Sequence, residues 1–143
     1  EKDQLTFDII GCAMNVHNTL GNGFTHEGLF FKVFVNTCIS RGNLSTLPAI
    51  EFDRAGLKYK REVEQDIYYK RIKVGTRRAD FVVEERIIVE TKAMIDLEPV
   101  HLAQAKNYVV AYNFQKGLLI NFGAPSLQYK LVFNSRNNSD SEN

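Results

Sequence analysis

The chain has 143 residues, of which 44% are hydrophobic and 24% charged, as in an ordinary soluble domain with a sizeable core. Its net charge of +1 argues neither for nor against a nucleic-acid partner, so only a local basic patch could bind phosphates. Cys12 and Cys38 lack the spacing of a zinc site or disulfide framework, and there is no signal peptide or long apolar span, which together predict a cytoplasmic protein.

Apolar residues at helical spacing predict a first helix from about Leu5 to Leu20, which Gly21-Asn22-Gly23 ends. His17 borders its apolar face, where a packed or capping histidine is favoured over a ligand. Residues 25–48 fit no regular pattern and are turn-like from Ile39 to Pro48. Ala49–Gly56 then looks like the last turns of a helix that Gly56 caps.

The next segment predicts a hairpin. Strands are expected over Tyr59–Tyr69 and Ile72–Val74, and they lead to a separate element that begins at Arg77. Its basic residues invite two interpretations, a solvated hairpin or a phosphate-binding edge, and the solvated hairpin is slightly favoured on this stretch alone. These residues are Lys70, Arg71, Lys73, Arg77 and Arg78.

Two apolar runs, Phe81–Val83 and Ile87–Val89, are separated only by Glu84-Glu85-Arg86 and predict a second hairpin, buried on both faces. A three-residue loop sets Asp80 directly opposite Glu90, whereas a two-residue turn would put Asp80 on the other face. The register of this hairpin therefore decides whether two carboxylates meet.

Lys92 shares a strand face with Glu90, because side chains alternate with a period of two. Two adjacent carboxylates repel unless a cation joins them, and either Lys92 or a divalent metal could offset the charge of Asp80 and Glu90. The competing interpretation is a solvated surface ion pair, which the motif alone favours.

A second helix is predicted from Pro99 to about Tyr112, with Gln104 and Tyr108 one turn apart. Strands Leu118–Phe122 and Leu127–Phe133 follow, and the polar tail Asn134–Asn143 is expected to be disordered. The order of elements predicts one α/β or α+β domain over residues 1–133, a mixed central sheet with helices packed on it.

Five segments resemble the GxxExxY family of small bacterial proteins, which is placed in the PD-(D/E)xK nuclease superfamily. They are Val16–Phe24, Gly75–Phe81, Val89–Ala93, Val100–Tyr108 and Gly117–Gly123. The resemblance implies a restriction-endonuclease-like core and hydrolysis of nucleic acid. No specific DNA or RNA substrate follows from it, although we expect DNA rather than RNA as the partner. It implies that Asp80 and Glu90 bind Mg²⁺ or Mn²⁺, aided by the Thr91 carbonyl, and that Lys92 assists the attacking water.

The same resemblance places Gln104 and Tyr108 at a QxxxY element beside the active site, and Arg77 and Arg78 are expected to bind substrate. The family's Gly-x-x-Glu-x-x-Tyr motif is nevertheless absent, because counting from Gly23 reaches His26 and Leu29.

Ile39–Pro48 can be encoded so that a reading frame shifted by one base gives Phe-Gln-Glu-Val-Ile-Tyr-Gln-Arg-Cys, which contains Glu-x-x-Tyr. We hypothesise that this segment is the motif helix translated out of frame after an insertion. Codons in the nucleotide sequence that are incompatible with the shifted reading frame would contradict this hypothesis. The alternatives to a nuclease are a non-catalytic domain that binds nucleic acid or a partner, and a damaged product with neither activity.

Overall fold

The computed structural model describes residues 3–22 and 45–135, which form three helices and five strands. These are α1 (Gln4–Asn22), α2 (Thr46–Arg54), β1 (Tyr59–Tyr69), β2 (Ile72–Val83), β3 (Ile87–Lys92), α3 (Pro99–Ala111), β4 (Lys116–Asn121) and β5 (Gln128–Phe133). The strands follow the order β1-β2-β3-β4-β5 in one sheet, with β1–β2 and β2–β3 antiparallel. Because β3 and β4 are joined through α3, the crossover that parallel neighbours need, the sheet is mixed, as predicted.

The described residues divide into two compact units. One contains the residues up to Lys58 with Thr91–Leu97 and Ile120–Tyr129, and the other contains Tyr59–Glu90, Glu98–Leu119 and the residues from Lys130.

In the first unit, the predicted apolar stripe of α1 is buried, including Leu5, Ile9 and Val16. His17 is also buried, and its Nε2 lies 2.9 Å from the Ala124 carbonyl oxygen. This histidine is therefore a packed residue, as the sequence favoured. The thiol of Cys12 lies 3.5 Å from the carbonyl oxygen of Glu51 on α2, and burial raises the pKa of that thiol.

Helix α2 ends as predicted but begins earlier than predicted. Gly56 has a φ of +72°, and hydrogen bonds run from the Gly56 N–H to Asp53 and from the Leu57 N–H to Phe52, which is a Schellman motif. The turn-like interpretation up to Pro48 is wrong at its end, because the helix already starts at Thr46 and proline is tolerated in a first turn. The rest of the anomalous segment, including Cys38 and the motif positions, lies within residues 23–44, outside the described part of the chain.

In the second unit, β1 and β2 form a long hairpin with a bulge between Ile67 and Tyr68. The runs expected to be separate, Ile72–Val74 and Phe81–Val83, belong to the single strand β2. Helix α3 packs on this sheet through Tyr108 and Tyr112, beside Val82 and Ile88.

Helix α3 begins with a reciprocal capping arrangement in which the Glu98 N–H donates to Nδ1 of His101 over 2.9 Å.

After β5, Asn134 is buried and donates its N–H to the Gln115 carbonyl over 2.8 Å. The Asn134 side chain also donates to the Phe114 carbonyl over 3.1 Å. Residues 136–143, most of the tail that is predicted to be disordered, lie outside the described ranges. Across residues 3–22 and 45–135, no helix is long and apolar enough to cross a membrane.

Candidate active site

The loop of the β2–β3 hairpin has the odd length on which the predicted site depends. Val83 pairs with Ile87 and Phe81 with Val89, so Glu84-Glu85-Arg86 is a three-residue loop. Continuing this register by one residue sets Asp80 opposite Glu90, and opposed residues of an antiparallel pair share a face. This register therefore puts Asp80 and Glu90 on one face of the hairpin, where the Asp80 backbone N–H is bonded to the Glu90 carboxylate.

The turn reaches this geometry through two non-glycine residues in left-handed backbone conformation. Glu84 and Glu85 have φ values of 52° and 54°, and the Arg86 N–H donates to the Val83 carbonyl over 3.0 Å. Left-handed backbone is unfavourable for such residues by about 1 kcal/mol each. The paired apolar strands offset this cost, so burial of the strands fixes the register.

The two carboxylates differ in exposure. Glu90 is buried, with 8% of its surface exposed, whereas Asp80 is half-buried. The Asp80 backbone N–H donates to Oε1 of Glu90 over 3.3 Å, which gives the buried group one hydrogen-bond partner across the strands.

Tyr108 and Arg77 complete this neighbourhood within the same unit. The guanidinium carbon of Arg77 lies 5.5 Å from the centre of the Tyr108 ring. The pKa of Tyr108 is raised, first by burial and then by the negative charge of Glu90; Arg77 opposes the rise and Asp80 adds to it. The charges of Glu90, Asp80 and Arg77 thus all affect the pKa of the Tyr108 phenol.

The other predicted residues are placed element by element. Gln104 is exposed one turn before Tyr108, on the same side of α3, and Arg78 is exposed on β2. Thr91 and Lys92 are half-buried at the end of β3, where the Lys92 carbonyl accepts the Phe122 N–H over 2.8 Å.

Two carboxylates suit a hard cation that keeps most of its water. Among the residues described, no group of three or more His, Cys, Asp or Glu side chains could hold a metal ion. Mg²⁺ commonly uses one or two carboxylates together with waters and substrate phosphate oxygens. The donor set of Asp80 and Glu90 therefore fits Mg²⁺ or Mn²⁺, and it does not resemble a fully enclosed structural site.

Sequence reasoning missed Tyr112, whose hydroxyl enters the β1–β2 ladder. It accepts the Ala79 N–H over 3.0 Å, donates to the Val63 carbonyl and lies 3.2 Å from the Arg77 carbonyl. The pKa of Tyr112 is raised, chiefly by burial. The sequence placed Tyr112 at the end of the predicted helix, and nothing in the pattern predicted this polar role.

Sequence reasoning also missed Asn121, at the end of β4, which is fully buried. Its Oδ1 accepts the N–H groups of Met94 (2.8 Å) and Gly123 (3.1 Å), and its Nδ2 donates to the Met94 carbonyl and to Oε1 of Gln128, each over 2.9 Å. Asn121 thus ties the segment that follows Lys92 to the end of β4. The signal was present, since Asn121 is a lone amide in an apolar run.

A family model described as the PD-(D/E)XK nuclease superfamily matches residues 44–132, a range that contains the candidate site. The fold is similar to the crystal structure of a protein named SSO0001, with a TM-score of 0.50 and 18% identity. That similarity covers 62% of this chain but only 47% of SSO0001, so the chain spans about half the length of that protein. No curated protein matches the chain. Together these similarities confirm the predicted α+β fold with its mixed sheet, of the restriction-endonuclease-like kind.

Proposed function

We propose that this chain, which belongs to the PD-(D/E)XK nuclease superfamily, hydrolyses phosphodiester bonds in nucleic acid with the help of a divalent metal. The observation that carries the proposal is the hydrogen bond from the Asp80 backbone N–H to Oε1 of Glu90. It is supported by the register of β2 and β3, which sets the two residues opposite each other when it is continued by one residue beyond the pair Phe81–Val89. We further assign the chain to the GxxExxY family, on the segments quoted above, and favour DNA over RNA as substrate.

In this proposal, Asp80, Glu90 and the Thr91 carbonyl hold Mg²⁺ or Mn²⁺. A bound cation of this kind polarises the phosphate and makes water more acidic. Glu90 is suited to holding it because the buried carboxylate is already positioned by a backbone donor, so little reorganisation is needed on binding. Asp80 supplies the second negative charge from a more exposed position.

Lys92 follows Glu90 by two residues on β3, and in this proposal its ammonium orients the attacking water or stabilises charge that develops on the phosphate. Tyr108 and Gln104, one turn apart on α3, position the substrate or the lysine. Arg77 and Arg78 bind phosphate oxygens as fixed, fully charged donors.

The test combines metal-binding calorimetry with cleavage assays on labelled DNA and RNA in Mg²⁺ or Mn²⁺. Asp80→Asn and Lys92→Ala should each lower the cleavage rate by at least about 10²-fold. Only Asp80→Asn should also abolish metal binding, because Lys92 is no ligand. Asp53→Asn on α2, an exposed aspartate, is the matched control and should change neither.

Retained cleavage in Asp80→Asn or Lys92→Ala would remove the corresponding assignment. If neither metal binds the parent chain and nothing is cleaved, the alternative is a non-catalytic domain that binds nucleic acid, which the basic residues of the β1–β2 hairpin favour. Binding would then be sensitive to salt and unchanged by chelator or by Asp80→Asn.

A further inference from the structure

The tip of the β1–β2 hairpin exposes apolar and aromatic side chains that a solvated hairpin would not need. Tyr68, Tyr69, Ile72 and Val74 each leave between 61% and 67% of their surface exposed. Single exposed apolar residues are normal, but Tyr69, Ile72 and Val74 share one face of the hairpin, and contiguous apolar patches mark interaction sites.

The same segment carries a local excess of positive charge. From Asp66 to Arg78 there are five basic side chains and one acidic side chain, a net charge of +4, whereas the whole chain carries +1. The other residues therefore sum to −3. The partner that fits this segment is negatively charged and also offers apolar surface.

The geometry of the tip mixes rings and cations. Tyr69 pairs with Ile72 and Tyr68 with Lys73 across the strands, so each ring shares a face with its partner. Lys70 Nζ lies 5.4 Å from the centre of the Tyr69 ring, and Lys73 Nζ lies 2.9 Å from Oδ1 of Asp66. Cations beside exposed aromatic rings are the arrangement with which proteins bind phosphates and stack on bases.

The hairpin also leads from this tip to the candidate site. Eight residues of β2 separate Ile72 from Asp80, which is about 26 Å of strand. Arg77 lies along that path and meets the Tyr108 ring beside the two carboxylates. A strand of nucleic acid bound along β2 would therefore place about eight stacked nucleotides between the tip and the carboxylates.

We propose that the tip of the β1–β2 hairpin, formed by Tyr68, Tyr69, Lys70, Arg71 and Lys73, binds an unpaired strand of nucleic acid. The inference rests on the proposed nuclease function, whose substrate class it narrows. The tyrosine rings favour an unpaired strand over a duplex. They can stack only on bases whose faces are free, and in a duplex those faces are covered by the neighbouring base pairs.

The experiment measures binding by fluorescence anisotropy to a labelled DNA strand of about 20 nucleotides and to the duplex of the same sequence, in the presence of chelator. Tyr68→Ala/Tyr69→Ala should weaken binding to the single strand about tenfold or more, and Tyr68→Phe/Tyr69→Phe should retain it, since phenylalanine also stacks. Single-strand binding should be tighter than duplex binding.

The cations are tested separately, without loss of the turn. Lys70 and Arg71 have φ values of 46° and 68°, so Lys70→Asn/Arg71→Gly introduces the residues that such a turn prefers while removing two charges. The plot of log affinity against log salt concentration has a negative slope, and this variant should make that slope less steep by about 1.4 between about 50 and 200 mM salt. Tyr129→Ala/Lys130→Gln, an exposed aromatic–basic pair on β5, is the control and should leave both quantities unchanged.

Equal affinity of the alanine variant and the parent chain would overturn the inference, and so would preference for duplex over single strand. Loss of binding in the β5 control as well would overturn it too, since the effect would then not belong to the tip. Because chelator prevents cleavage, binding is measured independently of cleavage, and failure of this inference can be distinguished from failure of the nuclease proposal. Tip-dependent binding without metal-dependent cleavage contradicts the nuclease proposal alone, whereas cleavage that is indifferent to the tip variants contradicts this inference alone.

Discussion

At the scale of single residues, the hydroxyl of Tyr112 occupies a position in the sheet that backbone groups usually fill. Ala79 and Val63 are paired in register, yet the phenol oxygen accepts from Ala79 and donates to Val63. Glu62, next to Val63, has a φ of 51°, so the ladder is irregular at this point. The ring also packs beside Val82 and Ile88, so one side chain both covers the sheet and completes its hydrogen bonds.

Replacing this hydroxyl therefore tests a polar role that is separate from packing. Tyr112→Phe keeps the ring but leaves the Ala79 N–H and the Val63 carbonyl without the oxygen that joins them. We expect the free energy of unfolding to fall by about 1–3 kcal/mol, measured by urea denaturation. Tyr129→Phe, which removes an exposed phenol on β5, is the control and should stay within about 0.5 kcal/mol of the parent chain. Equal losses in the two variants would mean that the β1–β2 ladder closes without the hydroxyl.

At the scale of elements, the burial of strands and the register of the second hairpin could be predicted from the sequence, because hydrophobic periodicity and loop length control them. The run Ile87–Val89 has no polar alternation, and it lies in the interior strand β3, as expected. The loop of three residues predicted the register that sets Asp80 opposite Glu90. What could not be predicted is where a polar side chain finds its partners, because those partners are distant in sequence.

Asn121 illustrates that limit. Its partners Met94 and Gln128 lie 27 and 7 residues away in the chain, and no local pattern relates them. The continuity of β2 was missed for a different reason. Gly75-Thr76-Arg77-Arg78 has the composition of a loop, but pairing with Glu64–Ile67 of β1 keeps it extended. Tertiary pairing overrode local propensity there.

The amide of Asn121 gives the element-scale prediction. Asn121→Ala would leave the N–H and carbonyl of Met94 and the N–H of Gly123 without their partner in a buried place. We expect the free energy of unfolding to fall by about 2–4 kcal/mol, measured by urea denaturation. Asn107→Ala, an exposed asparagine on α3, should change it by less than about 0.5 kcal/mol. A neutral result for Asn121→Ala would show that water replaces the amide.

At the scale of the whole molecule, a net charge near zero conceals an uneven distribution. A segment of 13 residues, Asp66–Arg78, carries +4 and the other residues −3, which composition alone could not reveal. A polyanion approaching such a molecule is attracted to the hairpin and repelled elsewhere, so the hairpin would orient it before any specific contact forms. Ile72, next to the tip, and Asp80 lie at two places along the single strand β2. The distance between the tip and Asp80 can therefore be tested with substrates of different length.

That length predicts how cleavage should depend on the substrate. If the tip holds an unpaired strand about 26 Å from Asp80, kcat/KM should rise as the strand is lengthened. It should level off by the time about eight nucleotides lie beyond the cleaved bond on one side, because a fully stacked strand spans this distance with that number. A series of oligonucleotides extended separately at each end measures this. Lys70→Asn/Arg71→Gly should remove the gain from length while leaving the shortest substrates unaffected, because those never reach the tip. A gain from length that continues well beyond eight nucleotides, or the same length dependence in that variant, would mean that the substrate does not follow β2.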